Sequence, residues 1–246
     1  MFLALLALTA LGGALAWYAG AEVSPIAYGG VFVLVIAGWL VSLCLHEFGH
    51  AYTAWRFGDH SADMRGYLTL NPLRYTHPVL SLVLPLVFIA LGGIGLPGGA
   101  VFVNTSFMTP RQRTLVSLAG PAANLALAVV LLSATRMFIE PTHLVFFSGL
   151  AFLGFLELTA VVLNLLPLPG LDGYGALEPH LSPQTRRALE PFHQWGLMVL
   201  LVLLIASPAL NQKFFSMVLS VFDLFGVARM LVSWGMSLTQ FWSGWF

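Results

Sequence analysis

Apolar positions in this chain gather into seven runs, near residues 1–18, 29–57, 78–96, 114–139, 143–166, 191–210 and 213–236. Most are close to the ~20 helical residues that cross the hydrocarbon core of a bilayer. The first run has no Lys or Arg ahead of it, unlike the n-region of a cleaved signal peptide, and reads as a retained transmembrane helix. Polar positions fall between the runs. After the second run, WRFGDHSADMRGYLTLNPLRYTHP contains Tyr67-Leu68-Thr69-Leu70, suited to a short strand before the turn signal Asn71-Pro72. After the third, clustered Gly and Pro in GGIGLPGGAVFVNTSFMTPRQR break the helix, and Ala100-Val101-Phe102-Val103 reads as an extended segment. Irregular backbone at membrane depth must be enclosed by protein or line a water cavity. The pattern predicts an all-α polytopic membrane protein with about six to seven transmembrane segments and a small β-hairpin or re-entrant element, all in one domain over 1–246.

Composition places the whole chain in lipid. Of 246 residues, 59% are hydrophobic and 8% charged, and the mean hydropathy is +0.89, far from soluble usage. Ten basic and ten acidic residues cancel, so no global field points to nucleic acid. Arg56, Arg65, Arg74, Arg111, Arg113, Arg186 and Arg187 flank the loops after the second, third and fifth runs, whereas Arg136 and Lys213 fall in the opposite loops. The positive-inside rule puts the Arg-rich side in the cytoplasm, as expected of a multi-pass protein of a prokaryotic plasma membrane. The single cysteine, Cys44, excludes an internal disulfide. It precedes His46 by two positions and so does not share its helix face, which makes it a core residue.

The second run ends in Leu43-Cys44-Leu45-His46-Glu47-Phe48-Gly49-His50. His46 and His50, four apart, project from one helix face and can share a metal ion, the spacing of HExxH zinc helices. Such a site needs neutral imidazoles, a third protein ligand and an open fourth position for water, whose proton Glu47 could take. Burying these groups in lipid costs ~2.5–3.5 kcal/mol per central charge, so a metal or a polar cavity must compensate. Glu157, Asp172 and His77 are the third-ligand candidates at or within apolar runs. Asp172 has the most informative context: in Asn164-Leu165-Leu166-Pro167-Leu168-Pro169-Gly170-Leu171-Asp172-Gly173, two prolines end the fifth run just ahead of one carboxylate.

HEFGH, AGPAAN and NLLPLPGLDG, in that order and spacing, resemble the site-2 protease family of intramembrane zinc metallopeptidases, in a compact prokaryotic branch without PDZ or CBS domains. The resemblance covers roughly residues 29–180; the helices at 1–20 and 191–246 match less specifically. It implies one zinc ion per chain held by His46, His50 and Asp172, with Glu47 as catalytic base. Asn124 and Asn164 would position substrate or stabilise an oxyanion, and Ala100, Val101, Phe102 and Val103 would lie beside the metal where an unwound substrate strand could pair. The branch commonly has Asp-Pro-x-Gly where this chain has His77-Pro78-Val79-Leu80. Glu157 lies on nearly the same helix face as Asn164, and both Glu157 and His77 remain candidates for a role near the site.

A common ion for His46, His50 and Asp172 requires an even number of crossings between residues 51 and 110, so the run at 78–96 is re-entrant or is followed by a returning extended chain. The expected partners are the lipid bilayer and a transmembrane or membrane-associated protein substrate, with the active site toward the cytoplasm. Two other readings exist. A metal-binding membrane transporter would need more intramembrane acids and histidines than this chain has, and a non-catalytic membrane-protein-binding relative typically lacks the base or a ligand.

Overall fold

The computed structural model describes residues 1–71, 103–193, 195–240 and 242. His77, Ala100, Val101, Phe102 and the run at 78–96 lie outside the described residues. The described residues form helices and turns, with no strand among them. Helix α1 spans Phe2–Tyr18 and α2 spans Pro25–Arg56. The Ser24 hydroxyl accepts from the Ala27 N–H and Pro25 fills the first turn, so α2 starts sharply. A short α3, Ser61–Met64, follows. Helix α4, Pro110–Phe138, opens on a Thr109/Gln112 capping box, and α5 spans Leu144–Asn164. Beyond it lie α6 (Asp172–Leu177), α7 (Pro183–Leu189), α8 (Gly196–Ala206), α9 (Pro208–Asp223) and α10 (Arg229–Thr239). Among the described residues, three helices are long and apolar enough to cross a membrane: α2, α4, and α5 with the turn before it.

Helix α5 is the hub. Its Val145, Phe152, Leu153, Leu156, Leu158 and Leu163 are all buried in one cluster shared with α2, α4, α9 and α10. Around it, helices approach through small residues, as expected where lipid gives no hydrophobic drive to pair. A Cβ on Gly30 of α2 would lie 2.6 Å from the Ala16 backbone nitrogen of α1. Helix α4 shows its two faces plainly. Val116, Gly120, Asn124, Ala128, Leu132 and Thr135 form a buried stripe, while Leu115, Leu125, Val129 and Val130 are exposed, the helical period of an inner and a lipid-facing side.

One expectation needs correction, and one run that the sequence leaves open proves divided. Tyr67–Thr69 is a 3-10 turn, not a strand. Gly66 (φ 74°) and Leu70 (φ 53°) are left-handed on either side of it, and Tyr67 is buried against Val41, Cys44 and Ala51, so closing the turn buries the ring that an extended segment would leave out. The run at 213–236 is not one helix either. Helix α9 stops at Asp223, a turn through Gly226 (φ 64°) follows, and α10 starts at Arg229, whose guanidinium closes the break on the Asp223 carboxylate. Likewise Ser207 caps a new helix at Pro208 inside the stretch 191–210.

Candidate metal centre

The break after α5 is what delivers the carboxylate. Leu165 to Leu171 turn away from the helix through Pro167 and Pro169, and Asp172 opens α6. There it meets the last third of α2. His46 Nε2 and His50 Nε2 lie 3.1 Å apart, His46 Nε2 is 3.3 Å from Asp172 Oδ2, and His50 Nε2 is 3.3 Å from Asp172 Oδ1. These separations match the edge of a tetrahedron with ligand distances of about 2.0–2.1 Å, namely about 3.3 Å.

The outer hydrogen bonds fix what the inner atoms are. His50 Nδ1 faces the Val116 main-chain carbonyl at 2.7 Å, and His46 Nδ1 faces the Asn124 amide oxygen at 2.5 Å. Both partners only accept, so both Nδ1 atoms carry the proton and both Nε2 lone pairs point at one position. Two such lone pairs 3.1 Å apart repel unless a cation lies between them. Asp172 Oδ2 is shut off from solvent without a hydrogen bond among the described residues, a cost of about 1–3 kcal/mol that a cation would remove. Two imidazoles and a carboxylate on an all N/O set fit zinc.

Close approach of α4 makes the arrangement possible. A Cβ on Gly120 would collide with His50 Nε2 and lie 2.7 Å from His46 Cε1 and Nε2, and one on Gly49 would lie 2.8 Å from the Ala119 carbonyl. The AGPAAN stretch thus supplies both the missing side chain at Gly120 and the amide of Asn124.

A cavity of about 600 Å³ opens onto the cluster. His46, Glu47 and His50 border it, as do Val103, Asn124, Asn164 and Asp172. Glu47 is 3% exposed. Asn164, at the end of α5, is buried at the cavity wall. Glu157 lies behind Asn124, which donates to it at 2.8 Å. Val103 packs beside Ala54, Met108 and Val116; the next residue, Asn104, donates its N–H to Asp59 Oδ2 at 2.7 Å, just beyond the end of α2. The structure adds residues that sequence reading did not single out. Ser42, Trp39, Arg113, Tyr174 and Glu178 border the cavity, and the Trp39 indole N–H is buried there without a partner among the described residues. Only Ser42, one turn before His46, carried a positional hint. His193 is exposed and stands at the cavity rim with its ring 5.0 Å from that of Tyr174.

Residues 34–144 match the model of peptidase family M50. Among relatives that each bear the name "Putative zinc metalloprotease", Rip2 of Mycolicibacterium smegmatis is 66% identical over 246 residues, covering 100% of this chain and 95% of its own length. Rip2 of Mycobacterium tuberculosis strain H37Rv matches with the same identity and coverage. YwhC of Bacillus subtilis is 35% identical over 174 residues, 68% of this chain and 77% of its own. No solved structure matches significantly. The chain is an integral membrane protein in which His46 and His50 of α2 and Asp172 of α6 could hold a metal ion, and it belongs to peptidase family M50, the site-2 protease family of zinc metalloproteases.

Proposed function

We propose that the protein hydrolyses peptide bonds of transmembrane or membrane-adjacent protein substrates inside this cavity, with Glu47 as general base and His46, His50 and Asp172 holding one zinc ion. The observation that carries the reading is the convergence of two Nε2 lone pairs and one carboxylate beside a buried Glu47 on a cavity wall. When bound, zinc supplies Lewis acidity that lowers the pKa of water toward ~7 and polarises a carbonyl. Glu47 takes the proton from the attacking water and returns it to the leaving amine. Asn164, buried at the wall, is placed to donate to the developing oxyanion. Main chain near Val103 offers an extended substrate a partner, and a helical substrate must unwind before its carbonyls are reachable. The Arg-rich ends of α2 and α4 favour a cytoplasmic mouth, and six to seven crossings remain the reading for the whole chain.

The test is purification of the protein and its Glu47→Gln variant in detergent, measurement of bound zinc, and assay of single-span substrates. The variant is expected to keep its zinc and lose ~10²–10⁴-fold in cleavage rate. Zinc-dependent cleavage at the native rate without Glu47 would overturn the mechanism.

A further inference from the structure

On the side of His46 away from the metal position, three buried polar side chains from three helices hydrogen-bond to one another, with Glu157 Oε1 left without a partner among the described residues. Asn124 of α4 accepts from His46 Nδ1 through Oδ1. Its Nδ2 donates to Ser42 Oγ of α2 and to Glu157 Oε2 of α5, both at 2.8 Å. Ser42 Oγ donates to the same Glu157 oxygen at 2.5 Å. Each of the three is 3% exposed or less. Glu157 is not among the residues bordering the cavity, so it does not meet substrate.

A primary amide has a donor end and an acceptor end of nearly equal size, and only its partners decide which way round it sits. Both contacts of Glu157 arrive at Oε2, which accepts them. Asn124 must therefore present its NH₂ to Glu157, which turns its carbonyl oxygen to His46. His46 answers with Nδ1–H and keeps the Nε2 lone pair for a metal. With the amide reversed, an N–H would face Nδ1 and the imidazole would move its proton to Nε2, where it blocks ligation. His50 needs no such device, since a main-chain carbonyl has no donor end.

We infer that Glu157, together with Ser42, is a positioning residue for zinc: acting through Asn124, it fixes the amide orientation and hence the His46 tautomer that presents Nε2 to the ion. The inference rests on His46 being a zinc ligand.

The test uses the full chain in detergent at fixed pH, with zinc affinity read by competition against a chromophoric chelator and the ligand field read from the visible spectrum of the Co(II)-substituted protein. Glu157→Leu removes the acceptor at similar volume and is expected to weaken zinc binding by ~10–100-fold and diminish the Co(II) bands. Asn124→Asp alone sets two carboxylates against each other across Ser42 and is expected to weaken zinc as well. Combining Asn124→Asp with Glu157→Gln inverts the polarity: the aspartate accepts from His46, and the glutamine amide donates to the aspartate. This pair is expected to bind zinc within about threefold of the native protein, a recovery that space-filling alone does not produce. Native affinity in Glu157→Leu, or an exchanged pair no tighter than Asn124→Asp alone, would overturn the inference. If Glu157→Leu does not fold, the exchanged pair against Asn124→Asp decides alone. His46→Ala separates the two readings: native zinc affinity in that variant would refute His46 as a ligand, a failure distinct from that of the Glu157 relay.

Discussion

A hydrogen atom in place of a methyl group decides whether the metal centre forms. Gly120 of α4 faces His46 and His50 so closely that any β-carbon would occupy their ligand edge. Gly120→Ala is therefore expected to push the imidazoles apart and lower zinc affinity more than ~10-fold, checked as zinc bound per chain, with helix content by far-UV circular dichroism unchanged. At this scale the sequence was informative wherever chemistry is local. His46 and His50 at four-residue spacing can be read from a helix alone, whereas the prolines ahead of Asp172 only mark it among three candidates, with Glu157 and His77, until the family resemblance chooses it. The group of Ser42, Asn124 and Glu157 could not be read, because its members come from three helices and meet only through packing.

Among elements, the link between the end of α2 and the chain approaching α4 is held by one buried carboxylate. Asp59, 2% exposed, accepts from Ser61 N and Oγ and from Asn104 N. Asp59→Ala leaves these donors without their acceptor, at a cost of about 1.5–3 kcal/mol, and releases Val103 from the cavity wall. The expected outcome is a lower melting temperature and a rise in KM for a protein substrate larger than the fall in kcat, measured by steady-state cleavage. Element types were legible from long apolar runs, and α2, α4 and α5 fall where those runs predict. Short elements were not. The β propensity of Tyr67–Leu70 loses to left-handed backbone at Gly66 and Leu70, and the break inside 213–236 is hidden because the φ of Gly226 and the pairing of Asp223 with Arg229 are not written in hydropathy.

For the whole molecule, zinc held by the proposed ligand set would be a cross-link between parts of the chain that are remote in sequence. Chelation is expected to lower the melting temperature in detergent by about 5–10 °C relative to protein held at a hundredfold excess over Kd, with recovery on adding zinc back. A chain unmoved by chelation would deny the ion any part in holding α2 to α6. The same separation has a consequence in time. Roughly 120 residues lie between His50 and Asp172, and at ~5–20 residues per second their synthesis takes on the order of 10 s. Throughout that interval a nascent chain already carries both imidazoles in α2 but lacks the carboxylate, so on the proposed ligand set the enzyme would be born inert and complete its metal site only after Asp172 has been added.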